Sequence, residues 1–216
     1  MKQIIKDNEP QEVIDWKALA NDDWQPNFDE LSGSEKRAMR QCLLKEQGAI
    51  CCYCNQDISN DDFHIEHFRP QETFEHLELE YSNLHASCLK NMKPGRPTHC
   101  GDAKANWFDN NQTLSPLDNN EASFNYLANG DIVAANQNSD EMVSRLKLKD
   151  ESLKAKRKAE ISGILGEDVI ENATDNDLVT LYQRISQKVD DKYQPFIVAI
   201  QQQIKQLIPV TLHAQL

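Results

Sequence analysis

The sequence predicts an α+β protein in which a small cysteine-rich core precedes a mostly helical C-terminal region. All six cysteines lie between residues 42 and 100. Short runs of aromatic and branched residues in this part of the chain indicate strands, whereas the residues beyond about 140 repeat apolar side chains at helical spacing. We therefore expect an N-terminal arm and helix over 1–48, a core over 49–110, and a β-hairpin followed by helices over 111–216.

The elements of the first half follow from local patterns. Ser32 and Glu35 have the spacing of a capping box, and the apolar residues behind them keep helical spacing up to Gly48. Residues 63–68 are aromatic and branched and are soon followed by a proline, which predicts a strand. Residues 77–84 are expected to supply either its partner strand or a loop.

The second half contains one hairpin signal and two helical patterns. The dipeptide Asn129-Gly130, between two short apolar runs, predicts a β-hairpin over 124–133. Helical spacing predicts a helix over 142–165 and another over 178–208. Pro195 is expected to kink or break the second of these helices, because proline removes a backbone donor and clashes with the preceding turn.

The chain carries a formal net charge of −12. This charge argues against binding of nucleic acid over the whole surface, because phosphate binding relies on Lys and Arg. Two basic stretches depart from the average: Lys90, Lys93, Arg96 and Lys104, and then Arg145, Lys147, Lys149, Lys154, Lys156, Arg157 and Lys158. The first stretch lies within the cysteine-rich region, and this position, more than its charge, makes it a candidate for phosphate binding.

The distribution of apolar residues predicts a cytoplasmic protein with no membrane association. No stretch is apolar for long enough to span a bilayer, and residues 1–10 lack the apolar segment of a secretory signal. In a reducing compartment, cysteines more often bind metals or lie buried as thiols than form disulfides.

Four of the six cysteines have the pattern of a structural zinc site. Cys51 and Cys54 form a C-x-x-C pair, and the more widely spaced Cys88 and Cys100 follow the candidate strands. Four thiolates complete a tetrahedral Zn²⁺ site, and such closed sites are structural. The other two cysteines, one on the core face of the first helix and one inside the C-x-x-C, are not expected to be ligands.

A distinctive motif lies between the two cysteine pairs. Segment 64–70 is His-Ile-Glu-His-Phe-Arg-Pro, and Asn83-Leu84 follows it before the second pair. This order resembles the HNH endonucleases, which have an acid and a histidine side by side, then an asparagine, then a further metal ligand. The His-Cys-Gly-x-x-Lys run over 99–104 is most similar to one branch, the HNH subunit of Septu-type anti-phage systems, also found beside some retrons. The resemblance covers roughly residues 1–165.

The resemblance implies a fold and an activity. The core over 49–110 would be a ββα-metal (HNH) nuclease core with a four-cysteine zinc site, and it would hydrolyse phosphodiester bonds with catalytic Mg²⁺ or Mn²⁺. An ATPase partner protein is also implied. Both DNA and structured RNA stay open as substrates, because the sequence contains no base-reading motif.

The motif residues have chemistry that suits this reaction. His67 is the expected general base, because an imidazole titrates near working pH. Glu66 is the expected ligand of the hard catalytic cation, and Asn83 is expected to hydrogen-bond the second ring nitrogen of His67. In HNH proteins the last metal ligand is usually a histidine. The chain has Asp102 at this position, a competent Mg²⁺ ligand, and His99 is the alternative.

The strand geometry sets a condition on this assignment. Glu66 and His67 would face opposite sides of a regular strand, so they serve one site only if the strand ends or bulges there. His64 is expected to be a supporting residue or an ordinary surface histidine. His85 is expected to have no direct role in the chemistry.

Two other functions fit parts of the pattern. The His-x-Glu of residues 64–66 also opens the zinc deaminase signature, but that signature needs Pro-Cys-x-x-Cys downstream, whereas here C-x-x-C lies upstream. The other alternative is a catalytically silent zinc module that binds nucleic acid or a partner protein, which Asp102 in place of histidine keeps open. An acidic nuclease is further expected to depend on its partner, with the helices over 142–208 as the docking surface.

Overall fold

The computed structural model describes residues 1–89, 95 and 98–216. Its α-helices are α1 (Gln11–Lys17), α2 (Gly33–Glu46), α3 (Gly101–Lys104), α4 (Gln137–Arg145), α5 (Glu151–Ile164), α6 (Glu167–Asn172), α7 (Asp175–Ile185) and α8 (Ile197–Leu207). Its strands are β1 (Phe63–His67), β2 (Leu84–Cys88), β3 (Phe124–Tyr126) and β4 (Ile132–Ala134). This mixture of helices and two small sheets agrees with the predicted α+β class. Lys90, Lys93 and Arg96 of the first basic stretch lie outside the described residues.

The first sheet is an antiparallel pair that carries the motif segment. β1 pairs with β2 in a register that runs from Phe63 opposite Cys88 to His67 opposite Leu84. The strand predicted over 63–68 is therefore confirmed. Its partner begins only at Leu84, and residues 77–83 form a loop with short 3₁₀ turns, so the loop alternative is correct for them.

One face of this sheet is covered by α3. Residues directly opposite each other on paired strands share a face, so His64 and Glu66 of β1 lie on the same face as Ser87 and His85 of β2. The backbone N–H of Gly101, the first residue of α3, donates to Ser87 Oγ at 3.1 Å. Two antiparallel strands and a short helix thus enclose the Glu66 side chain.

α2 supports the opposite side of β2. Met39 and Leu43 are fully buried at helical spacing, and the Gln47 side chain at the end of the helix exchanges hydrogen bonds with Ala86 of β2. Ser32 is the N-cap residue, as predicted, but its side chain makes no capping hydrogen bond. Tertiary contacts of the apolar face, rather than a capping box, therefore stabilise this helix.

The second sheet and the helix after it follow the sequence with one exception. β3 and β4 form the predicted hairpin, and Gly130 in its turn has a φ of +87°, which glycine adopts without strain. The helix predicted over 142–165 is in fact two helices, α4 and α5. Lys147 between them has a φ of +48°, and the Asp150 side chain caps the first turn of α5.

The predicted break at Pro195 is confirmed, because α7 ends at Ile185 and α8 begins at Ile197. α8 is a core helix with most of its residues buried. The segment before it joins the cysteine-rich region through backbone hydrogen bonds from Tyr193 to Gly48 and from Phe196 to Asn55. The expectation that the helices over 142–208 form an exposed docking surface is therefore wrong for α8. Among the described residues, no helix has the length and apolar character needed to cross a membrane.

Candidate metal centre and catalytic site

Four cysteine sulfurs meet inside the protein. The Sγ atoms of Cys51, Cys54, Cys88 and Cys100 all lie within 4.8 Å of one another, and all four residues are buried. Zn–S bonds of about 2.3 Å in a tetrahedral site separate the sulfurs by about 3.8 Å, and Cys54 Sγ lies 3.9 Å from Cys88 Sγ. The group fits a structural metal ion, with the donor set that Zn²⁺ prefers.

Three local contacts bring these sulfurs together. A backbone bridge between Ile50 and Asp57 closes the knuckle that contains Cys51 and Cys54. β2 ends at Cys88, whose N–H donates to Cys51 Sγ at 3.4 Å. The N–H of Cys100 donates to the carbonyl of Leu146 at 2.8 Å, so the end of α4 holds the fourth sulfur.

His99 belongs to this sulfur group. Its Nδ1 lies 3.3 Å from Cys100 Sγ and 3.6 Å from Cys88 Sγ, and the residue is 2% exposed. An imidazole N–H directed at a thiolate offsets part of the negative charge of the site. The structure thus directs Nδ1 of His99 toward the cysteines.

Glu66 is buried and surrounded by hydrogen-bond donors. Its Oε1 accepts a hydrogen bond from the Tyr53 hydroxyl at 3.1 Å and lies 2.9 Å from Lys104 Nζ, while its Oε2 lies 3.2 Å from His64 Nε2. Burial alone would raise the pKa of Glu66, but the hydrogen bond to His64 and the charge of Lys104 lower it below the ordinary value. The carboxylate therefore stays ionised inside the protein.

His64 is the imidazole nearest to Glu66 in this structure. The two side chains lie on the same face of β1, and that of His64 is 30% exposed. Burial lowers the pKa of His64, but the hydrogen bond and the negative charge of Glu66 raise it above the usual value. Gly101 covers the pair closely, since a Cβ atom there would lie 2.2 Å from Glu66 Oε2 and 2.7 Å from His64 Nε2.

His67 points to the opposite side of β1. The strand keeps its regular register to His67, without the bulge that would bring His67 and Glu66 side by side. The imidazole packs edge-to-face on Phe28 with ring centroids 4.3 Å apart, and its Nε2 lies 3.0 Å from the Glu78 carbonyl oxygen. Burial lowers the pKa of His67, so the ring is neutral at physiological pH.

Asn83 positions His67 by a different route from the one predicted. Its Oδ1 accepts from the Arg69 N–H at 2.8 Å, and its Nδ2 donates to the carbonyls of Arg69 and Leu77 at 3.0 and 3.1 Å. With both amide hydrogens used in this way, Asn83 does not donate to the His67 ring. It fixes the loop that carries Glu78, and the Glu78 carbonyl in turn orients His67.

The other predicted residues are less directly placed. Asp102 lies in the first turn of α3 and is half-buried, and its negative charge raises the pKa of His64. No third Asp, Glu, His or Cys ligand atom joins His64 and Glu66 within the described part of the chain. The structure thus brings Glu66 together with His64, and it brings neither His67 nor Asp102 into that pair.

Several residues of the site were missed by the sequence analysis. Tyr53 lies inside the cysteine knuckle and Lys104 is four residues beyond Cys100, yet both contact Glu66. The alternation of side chains along a strand was the available signal for His64, two residues before Glu66. His85 is fully buried opposite Glu66, burial lowers its pKa well below the ordinary value, and both its ring nitrogens lack a partner among the described residues.

The basic stretches are partly internal. Lys104 is 2% exposed and Arg157 is 1% exposed. Arg157 donates to the carbonyls of Gly130 and Leu148, and Lys154 pairs with Asp131. These side chains hold the protein together, which leaves fewer cations available for a phosphate backbone than the sequence suggests.

The motif strand thus combines a buried ionised carboxylate, an oriented neutral imidazole on the next residue and an adjacent four-sulfur group. No family model matches the sequence. The chain is 29% identical over 126 residues to a protein of Escherichia coli assigned as a retron Ec83 HNH endonuclease, which covers 52% of this chain. It is 26% identical over 131 residues to the Septu protein PtuB of Bacillus thuringiensis, which covers 60% of this chain.

The chain spans about half the length of these curated relatives, 49% of each. Both names agree with the resemblance to HNH endonucleases that the 64–70 motif indicates, so the similarity to this family is supported by sequence comparison as well as by the motif. The identities are modest, and the two matches support the class of protein rather than any residue's role.

Proposed function

We propose that this chain is a metal-dependent HNH-type endonuclease that hydrolyses nucleic-acid phosphodiester bonds in an anti-phage defence system. The observation that carries the proposal is the motif strand β1, which holds an ionised, buried Glu66 and an oriented His67 beside the four-cysteine group. The two relatives, with their nuclease and Septu names, support the same class of function.

His67 is the proposed general base. Because its Nε2–H donates to the Glu78 carbonyl, Nδ1 is left without a proton and is the atom that accepts one from the attacking water. A neutral ring is required for this role, and burial keeps the pKa of His67 low. Asn83 acts through the loop and is a positioning residue.

Glu66 is the proposed ligand of the catalytic cation, and Asp102 of α3, whose charge acts on His64, is proposed to contact the ion through a bound water. Carboxylate oxygens are the ligands that Mg²⁺ and Mn²⁺ prefer, and a bound divalent ion would offset phosphate charge and lower the pKa of a bound water. Tyr53 and Lys104 hold one oxygen of Glu66 and leave the other directed toward α3. The four cysteines are proposed to bind Zn²⁺ as a purely structural ion.

The test is cleavage of plasmid DNA, single-stranded DNA and structured RNA with Mg²⁺ or Mn²⁺, with and without EDTA. His67→Ala should lower the rate by at least about 100-fold, the usual contribution of a general base, with unchanged folding and zinc content. Asn83→Ala should lower it less. His76→Ala is the matched control, because His76 is an exposed histidine on the loop that carries Glu78. Equal rates for His67→Ala and wild type would remove His67 from the mechanism.

We also propose that an ATPase partner delivers or gates the substrate. A net charge of −12 repels phosphates over a Debye length of about 8 Å at physiological salt, and Lys104 and Arg157 are not available to offset it. The partner should therefore raise the cleavage rate and the affinity for nucleic acid at physiological salt. An isolated chain that binds and cuts as well as the mixture would contradict this part of the proposal.

A second candidate is a catalytically silent module that binds nucleic acid or a partner through a metal-stabilised core. Two observations favour it: Glu66 and His67 face opposite sides of β1, and Lys104 already supplies a positive charge to Glu66. The two candidates are separated by the EDTA arm of the cleavage assay. If no substrate is cut with the partner present and metal supplied, binding without EDTA sensitivity identifies the silent module.

A further inference from the structure

We propose that His64, together with Glu66, forms the cation-binding pair of the catalytic site. The inference rests on the proposed nuclease function and adds a residue to it. Nothing in the motif assigns His64 a ligand role, and the sequence predicts a supporting or surface residue.

The distance between the two ligand atoms fits an octahedral ion. Mg²⁺ binds its ligands at about 2.0–2.1 Å, so two neighbouring ligands of one octahedral ion lie about 3 Å apart. Glu66 Oε2 and His64 Nε2 are 3.2 Å apart in a hydrogen bond, and a bound ion would replace the proton between them. The same two atoms are those that a Cβ on residue 101 would approach most closely, so the backbone of Gly101 lies against the pair and any side chain at this position would collide with it.

The surroundings of the pair prepare Glu66 for this role. Tyr53 and Lys104 both contact Oε1, which fixes the carboxylate plane and leaves Oε2 for the pair with His64. Groups that hold a ligand in this way typically change metal affinity by about 10–100-fold when removed. Lys104 Nζ also contacts the carbonyl of His67 at 3.0 Å, so it holds the end of β1 as well as the carboxylate.

The pair reaches solvent through His64 alone. A catalytic cation requires such access, whereas a structural one does not. The His64 side chain is 30% exposed, whereas that of Glu66 is 7% exposed. Mg²⁺ usually takes only one or two protein ligands and completes its shell with waters and substrate phosphate oxygens. A buried carboxylate beside a part-exposed imidazole therefore suits a site whose remaining ligand positions are filled by water and a phosphodiester from the side of His64.

The experiment is Mn²⁺ binding to the zinc-loaded full chain, without nucleic acid, followed by electron paramagnetic resonance. Wild type should bind one Mn²⁺, and His64→Gln should weaken the affinity at least about tenfold, as expected when a ligand is lost. Pulsed measurements should show coupling to one imidazole nitrogen in wild type and in His67→Ala, and none in His64→Gln. His76→Ala is the control and should bind as wild type does.

Gly101→Ala gives an independent test, because its Cβ would intrude on both ligand atoms. It should weaken Mn²⁺ binding while the zinc content reports that the four-cysteine group is intact. If either variant loses its zinc, Glu66→Asp, which shortens the carboxylate ligand and keeps its charge, provides the second measurement and should retain the imidazole coupling with lower affinity.

Three results would overturn the inference: no Mn²⁺ binding by wild type, unchanged affinity in His64→Gln, or nitrogen coupling that persists without His64. Failure of the nuclease proposal looks different. In that case wild type would bind Mn²⁺ through His64 and cut no nucleic acid, with or without its partner.

Discussion

The cysteine-rich core and the helical C-terminal region differ in the number of charged and polar side chains that they bury. Around β1 and β2 the interior contains Glu66, Lys104, His85 and His99, each no more than 6% exposed. The C-terminal interior is largely apolar, and its buried cation, Arg157, is bound by backbone carbonyls rather than by a carboxylate. Buried ion pairs are weak sources of stability, so under the proposed function the charges of the core serve chemistry and the C-terminal region serves as the scaffold.

The largest effect is expected when one of the four cysteines of the core is replaced. Cys88→Ala should abolish metal binding by the four-cysteine group and unfold the core, because structural Zn²⁺ contributes roughly 10–16 kcal/mol in small modules. Metal content and near-UV circular dichroism measure this. Cys42→Ala is the control, since Cys42 lies outside the sulfur group. A folded Cys88→Ala protein with normal metal content would refute the assignment.

The next largest effect concerns the buried ion pair of Glu66 and Lys104, whose contribution to folding stability can be measured separately from its contribution to cleavage. Glu66→Gln leaves the Lys104 amine buried without its ion-pair partner and should cost about 3–5 kcal/mol in urea denaturation. Glu66→Gln combined with Lys104→Met should recover most of that loss without restoring cleavage. Glu121→Gln, which breaks the part-exposed pair with Lys2, should change stability by less than about 1 kcal/mol. A double variant as unstable as the single one would show that the pair is structural.

The scaffold is tested at α8. Ile200 is fully buried, so Ile200→Ala should lower the free energy of unfolding by about 2–5 kcal/mol through lost burial and the cavity left behind. Metal content and Mn²⁺ binding of the folded protein should not change. Leu207→Ala on the same helix, where Leu207 is 41% exposed, should have a much smaller effect. Loss of Mn²⁺ binding in folded Ile200→Ala would mean that the two regions are coupled.

The smallest effect concerns one helix cap of the scaffold. Asp150 accepts hydrogen bonds from the N–H groups of Ser152 and Leu153, so Asp150→Ala should destabilise the protein by about 1 kcal/mol. Burial raises the pKa of Asp150, but hydrogen bonds from the Ser152 hydroxyl and from these two N–H groups lower it below 3.8 overall. A depressed carboxyl pKa gives stability above 3.8 that is lost as the pH falls through the folded value. The difference between wild type and variant should therefore stay constant between about pH 5 and 8, and an increase over that range would contradict the assignment.

The sequence was most informative where one local pattern determines the structure. The Asn129-Gly130 turn and the break at Pro195 are properties of a few residues, and both predictions are confirmed. The proximity of the four cysteines was also predictable, because the number and type of ligands indicate a closed metal site whatever the loop lengths. The continuous apolar run at the start of α8 carried a signal for burial that the prediction of an exposed surface overlooked.

The catalytic region depended on contacts between distant segments. Lys104 reaches Glu66 only because α3 packs on β1, and that placement follows from Cys100 and Ser87 rather than from residues near Lys104. Asn83 was expected to bond His67, but its partners are backbone groups of a loop whose course the sequence does not specify. The regular register of β1 decided that His64, not His67, accompanies Glu66.

The burial of the four sulfurs implies that a chelator removes the two metals at different rates. Cys51 and Cys100 are 0% exposed, Cys88 is 1% and Cys54 is 3% exposed, so a chelator reaches a metal held there only when the core opens locally. The cation proposed at the part-exposed His64 should exchange with solvent without any such opening. A brief EDTA wash should therefore remove the cation at His64 while the metal bound by the four cysteines stays. The slow release of that second metal then measures the rate at which the core opens locally.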